Sequence, residues 1–365
     1  MNPPDDLIQT SEALASALAR IAASARVALD TEFVRERTYL AELALVQLAA
    51  GGENALVDPL AGADLGPLLA LLTDPARPKV LHAARQDIEV LLPLTRSPLA
   101  PVIDTQLAAA LLGHPAQIGY ADLVARELGV TLEKGHARTD WTRRPLSPAQ
   151  LAYAADDVRY LLPLAARLEE RLAAQGRRGW LEEDCAALSA PALYALDPER
   201  AWQRLKGVES LPPREQARIR TLAAWRERAA LDRNLPRGWL LNDEALRTIA
   251  RAAPADGTAL RKLELMPERA AARLGPGILE ALGRAAADSL EGIERRSEGR
   301  PDAAERERLA RLGERVRALA QELGIAPEVL ATQRELRRVA RGEAVEAVLA
   351  GWRLALLGAP LTSVG

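Results

Sequence analysis

The chain has 365 residues, 48 Lys and Arg against 50 Asp and Glu, and a formal net charge of −2. That length suggests two or three domains, and the lone cysteine, Cys185, excludes an internal disulfide framework and any site built from several thiolates. Near-zero total charge neither selects nor excludes a polyanionic partner, because the local field decides that.

The N-terminal MNPPDDLIQT has no basic segment followed by an apolar core, and no later apolar run has membrane-spanning length. A cytoplasmic chain with no membrane partner is therefore expected. RVALDTEF (26–33), LALVQLAA (43–50), ALVDP (55–59) and KVLHA (79–83) read as buried strands, and 64–73, 85–94, 106–112 and 120–128 carry helical periodicity. The first block, 1–190, is thus expected to be α/β, a mixed sheet flanked by helices. LSPAQLAYAADDVRYLLPLAARLEERLAAQ reads as one long helix beginning near Pro148 and capped by Ser147.

After Cys185 the pattern changes. SAPALYALDPERAW carries breakers at a domain boundary, and a second block, 200–284, reads as short helices interrupted at Pro236 and Gly238. Its Trp202, Trp225 and Trp239 are expected in the core. A third block, 298–365, follows the charged hinge IERRSEGRPDAAERE. Both blocks set a long amphipathic helix before a polar helix start, which suggests related small helical units.

In a strand, Asp30 and Glu32 of VALDTEF send their carboxylates to the same side. Asp87 of HAARQDIEV stands near a helix start. Tyr153 and Asp157 of YAADDVRY are four residues apart and share one helical face, whereas Asp156 is turned about 100° away. If the chain returns these acids to one cleft, they offer the hard oxygen ligands that Mg2+ or Mn2+ takes, and a pair of ions suits phosphoryl chemistry. Taken singly, each has a plainer reading: surface ion pairs for Asp30, Glu32 and Asp157, a helix-dipole partner for Asp87 and a core aromatic for Tyr153.

Taken together and in this order, VALDTEF, HAARQDIEVL and YAADDVRYL resemble the three exonuclease motifs of the ribonuclease D family, in the tyrosine-containing subclass of the DEDD superfamily. VIDTQLAAALLG and RTDWTRRPLSPAQLAYAADDV extend the resemblance over about 25–173. It implies a ribonuclease H-like 3′-5′ exonuclease fold, with Asp30, Glu32, Asp87 and Asp157 as ligands to two divalent ions and Tyr153 positioning or helping to activate the attacking water. It also implies hydrolysis of RNA from the 3′ end to nucleoside 5′-monophosphates, with precursor tRNA bearing an accessible 3′ end as partner and no obligate protein partner. AWQRLKGVESLPPREQARIRTLAAWRERAALDRNLPRGWLLNDEALRTIA resembles the helicase-and-ribonuclease-D C-terminal (HRDC) domain, and VRALAQELGIAPEVLATQRELRRVARG a divergent copy of it. On this reading two small all-helical modules follow the nuclease, with Lys206 and Arg214 as weaker RNA-contact candidates.

Candidate substrate contacts are Thr31 and Phe33 beside the first acids, Gln47, His82, and Lys134, Arg138, Trp141 and Arg144 in KGHARTDWTRRPL. Arg143 is a further basic candidate, and several of these have an ordinary alternative: surface for the basic residues, core packing for Trp141, a buried hydrogen bond for Gln47 and a structural role for His82. His114 and His136 have no metal-ligand spacing. Gln86 stands where the family often has an acid, a departure that leaves Asp87 intact. A DNA 3′-5′ exonuclease and a catalytically silent RNA-binding protein remain alternatives.

Overall fold

Strict alternation in VALDTEFV puts Val27, Leu29 and Thr31 on one face of a strand and Ala28, Asp30 and Glu32 on the other. The computed structural model describes residues 7–133, 135, 139–287 and 302–363. Lys134, Arg138 and His136 lie outside the described residues. The described residues fall into two units, one holding residues up to Val34, Glu42–Tyr194 and the segment from Ala303 onward, the other holding Arg35–Ala41 and Ala195–Asp302.

The first unit is built on a six-stranded mixed sheet: β1 (Leu7–Ile8), β2 (Val27–Val34), β3 (Glu42–Ala50), β4 (Glu53–Val57), β5 (Lys79–Leu81) and β6 (Val102–Asp104), in the order β1-β4-β3-β2-β5-β6. β3 runs antiparallel to β2 and β4, and the other neighbours are parallel. The expected strands are all present, and β1 and β6, too short to show a period, are added at the edges. α1 (Ser11–Ile21), α2 (Gly66–Thr73) and α3 (Arg85–Thr95) cover one face over Val27, Leu29, Val46 and Leu48. α4 (Thr105–Leu111) and α5 (Tyr120–Leu128) follow, then α6 (Pro148–Arg159) and α7 (Leu161–Ala174), which cover the other face over Ala28, Ala49 and Val80, and α8 (Arg178–Leu188) beside β6.

The helix expected to run unbroken from Pro148 is two helices. Ser147 does cap it, in a capping box with Gln150, but the run stops at Tyr160. Pro163 has no N–H to give Arg159 and its ring would strike that carbonyl, so α7 restarts with the proline in its first turn.

The second unit contains α9 (Pro213–Asp232), α10 (Arg237–Leu240), α11 (Asp243–Ala252), α12 (Gly257–Arg261) and α13 (Glu268–Ala287). α9 is the long helix expected before a polar helix start, and α13, also 20 residues, corrects the expectation of short helices elsewhere in the block. α9 and α13 approach so closely that a Cβ on Gly277 would run into the Trp225 indole. Trp202 and Trp225 are half-buried against the core, whereas Trp239 is 62% exposed, contrary to expectation, because α10 is a single turn that buries Leu240 instead. Glu227, 3% exposed, accepts from the Tyr39 hydroxyl, Arg204 and Arg237.

α14 (Ala303–Leu323), α15 (Pro327–Leu330), α16 (Gln333–Ala340), α17 (Val345–Val348) and α18 (Gly351–Thr362) repeat the succession of long, short, middle, short and long helix seen in the second unit. They share one apolar core with α4, α5, α7 and α8 of the first unit. Trp180 and Trp352 stack at 4.5 Å, Asp184 accepts from Arg353 and from the Trp352 indole N–H, and Arg177 donates to the carbonyls of Leu111 and Leu323. No helix among the described residues is long and apolar enough to cross a membrane.

Candidate active site

β2 delivers Asp30 and Glu32 to the sheet face covered by α6, and α6 brings Asp157 down to them. One carboxylate oxygen from each of the three lies within 4.8 Å of the others. They line a cleft of about 350 Å3 together with Phe33, His82, Gln86, Tyr120, Tyr153 and Leu161. Tyr153, one turn before Asp157, hydrogen-bonds its carboxylate. A larger apolar cavity of about 550 Å3 lies beside β6 and α8, but four of its charged residues are tied as the pairs Arg26–Glu169 and Arg178–Glu182.

Asp87 is placed differently. It sits in the first turn of α3, 6% exposed, and its Oδ1 accepts from the Thr31 hydroxyl at 2.6 Å. It stands outside the three-acid group, although its charge is felt at Asp30 and Glu32. The turn that carries it is held by Asp104, which accepts from the N–H groups of Ala83 and Ala84 and also caps α4.

Burial and mutual repulsion act together on these acids. Burial pushes Asp30 well above the usual carboxylate range, with Asp87, Asp157 and Glu32 adding to the effect. Burial, then Asp157 and Asp87, raises Glu32 to about 8. Burial raises Asp87 to about 7 against the Thr31 hydrogen bond, and Asp157 to about 7 against the Tyr153 hydrogen bond. Burial, then the same carboxylates, drives the Tyr153 phenol upward, so it stays protonated and donates. A site that concentrates oxygen anions in a place where they repel is one that a hard cation relieves, and an all-carboxylate donor set suits Mg2+ or Mn2+.

The candidate substrate contacts divide. Phe33 and His82 line the cleft. Both His82 ring nitrogens are engaged: Nε2 donates to the Ile118 carbonyl at 2.9 Å, and Nδ1 lies 2.9 Å from the Thr105 hydroxyl. Thr31 faces away from the cleft acids and spends its hydroxyl on Asp87. Gln47 pairs across the ladder with Asp30 but is wholly buried, and its amide has no partner among the described residues.

Two candidates are committed to the fold. Trp141, 1% exposed, packs over Leu45 and Leu56 and has no face left for a base. Arg144 is a strut: it grips both oxygens of buried Asp58, at 2.8 and 2.7 Å, and donates to the Ala44 carbonyl at 2.8 Å. Ala44 is the extra residue where the β2–β3 register shifts between Glu32 and Phe33. Bulges of this kind re-aim side chains, so Arg144 braces the point where β2 leaves the acids. Tyr120 and Leu161, also in the cleft, escaped sequence reasoning because neither belongs to a spacing that marks chemistry.

The 3'-5' exonuclease family profile matches residues 6–173, and the HRDC domain profile matches 215–282. The chain is 42% identical to "Ribonuclease D" of Gluconacetobacter diazotrophicus, over 98% of this chain and 91% of that one. It is 40% identical to "Ribonuclease D" of Nitrobacter hamburgensis, over 97% and 93%. Among solved structures, Escherichia coli RNase D, described as an exoribonuclease involved in structured RNA processing, superposes with a TM-score of 0.88 at 33% identity, covering 100% of this chain and 98% of that one.

Proposed function

This chain belongs to the ribonuclease D family, and we propose on that footing that it is a divalent-metal-dependent 3′-to-5′ exoribonuclease that releases nucleoside 5′-monophosphates. The observation that carries the reading is the approach of Asp30, Glu32 and Asp157 to within 4.8 Å under the Tyr153 hydroxyl. These three acids, with Asp87, are the ligands assigned to two Mg2+ or Mn2+ ions. Such ions, when bound, offset phosphate charge and acidify a water for attack at neutral pH.

The chain's own residues supply the orientation. Protonated Tyr153 holds Asp157 by its hydrogen bond and presents its hydroxyl oxygen to the attacking water. It is not a bulk base, since its burial among carboxylates disfavours the phenolate. Phe33, the chain's one phenylalanine, offers a ring to the terminal base from the strand that carries Asp30 and Glu32. The substrate assigned is structured RNA with a free 3′ end, precursor tRNA in particular, in the cytoplasm. The HRDC match supports that assignment, and we take 303–363 as a second, divergent HRDC-like copy because its helices follow the same succession.

Matched precursor tRNA and DNA, each labelled at the 3′ or the 5′ end, test this with Mg2+, Mn2+ or chelator. Stepwise loss from the 3′ end of RNA that stops with chelator is expected. Internal cuts, preference for DNA, or turnover without divalent metal would overturn the reading.

A further inference from the structure

In an unbroken helix the Asp156 carbonyl would accept from the Tyr160 N–H, four residues on. Here the Tyr120 hydroxyl stands between them. It donates to the Asp156 carbonyl at 3.2 Å and accepts from the Tyr160 N–H at 3.2 Å. A side chain inserted into the ladder of a helix is a recognised cause of a break. This one opens the turn from Asp156 to Tyr160, and Asp157 is the first residue inside it.

The position of that hydroxyl is set from elsewhere in the unit. Tyr120 opens α5, and its ring tilts against His82 with centroids 5.7 Å apart. His82, at the end of β5, is fixed by the Thr105 hydroxyl and by the Ile118 carbonyl, two residues before Tyr120. Gln106 of α4 donates to the same carbonyl at 3.0 Å. A path of hydrogen bonds and ring contact therefore runs from β5 and α4 through His82 and Tyr120 to the backbone on either side of Asp157. Pro163 alone explains why α6 and α7 cannot be continuous; it leaves open where Asp157 comes to rest.

We propose that Tyr120 is a positioning residue, its hydroxyl wedged into the α6–α7 break so that Asp157 is held at the distance from Asp30 and Glu32 that a shared divalent ion requires. The inference rests on the reading of Asp157 as a metal ligand. Tyr120→Phe keeps the ring against His82 and removes only the wedge.

The test uses the full chain as wild type, Tyr120→Phe, Asp157→Asn and the double variant. Mn2+ binding is read by electron paramagnetic resonance, turnover on RNA by steady-state kinetics, and folding by thermal melt. Tyr120→Phe should weaken Mn2+ binding about tenfold and lower kcat by about tenfold or more with KM little changed, while its melt stays cooperative. In the Asp157→Asn background the same change should have no further effect on Mn2+, because the group it acts through is gone. Wild-type Mn2+ binding and kcat in Tyr120→Phe, or effects that simply add to those of Asp157→Asn, would overturn the proposal. Loss of a cooperative melt would also overturn it, by assigning the hydroxyl to folding. Unchanged Mn2+ binding in Asp157→Asn alone would instead sink the metal-site reading on which it rests.

Discussion

At the scale of single residues, the acids are raised by burial and by one another. Glu32 near 8 and Asp87 and Asp157 near 7 stand above the ordinary carboxylate range. The sign follows from proton counting: between about pH 4 and 7 the metal-free fold keeps protons that the unfolded chain releases. Their contribution to stability is full below the ordinary carboxylate pKa and is lost as pH rises through 7 to 8. A divalent ion competes with those same protons. The rise in melting temperature on adding Mn2+ should therefore be small at pH 5.5 and large at pH 8.5, and equal rises at both would exclude these acids as ligands. Asp30→Asn and Asp157→Asn should each lower kcat by more than about a hundredfold, read in the 3′-end assay, with near-normal turnover rejecting the assigned role. Tyr153→Phe should lower kcat without removing a tyrosine limb from the pH–rate profile, because the wild-type phenol does not ionise in the working range.

At the scale of elements, the acids depend on how β2 ends and how α6 ends. Arg144, a phosphate-contact candidate from its basic neighbourhood, is spent on Asp58 and the Ala44 carbonyl at the bulge. Removing it leaves a buried carboxylate unpaired, so Arg144→Ala should cost about 3 kcal/mol of stability in urea denaturation. A mere phosphate contact would give the opposite pattern, a raised KM for RNA at wild-type stability. In the second unit, Gly277→Ala would drive a methyl group into Trp225 and should destabilise that unit by about 1–3 kcal/mol, visible as a lowered melting transition. Strand alternation, the Ser147 cap and the starts of α3 and α5 were legible because each follows from neighbours in the chain. The α6–α7 break was half legible, through Pro163; the wedge from Tyr120, 40 residues before Tyr160, was not.

At the scale of the whole molecule, the last block was expected as a separate domain, yet it completes the core of the first unit. Leu164, Leu168, Leu172 and Leu181 are buried in a cluster shared with Val316, Leu330, Leu349 and Leu357. Deleting 303–365 removes Val316, Leu330, Leu349 and Leu357 from that cluster and strips Trp352 from Trp180, and at about 1.5–3 kcal/mol for each large apolar side chain whose burial is lost the change is large beside the stability of a domain. The truncated chain should melt early or aggregate in a thermal scan with light scattering, and a truncation as stable as the full chain would refute the shared core.

By itself the sequence determined the short-range half of this protein. Period-two alternation turns Asp30 and Glu32 to one face, and a four-residue spacing stacks Tyr153 on Asp157. Motif order was enough to indicate the family. Only the tertiary structure decided that Arg144 and Trp141 serve the fold, that Tyr120 stands in the α6–α7 break and that residues 303–363 close the core of the first unit. Each of these rests on a contact between residues far apart in the chain, and no local period or spacing encodes which distant partner a side chain meets.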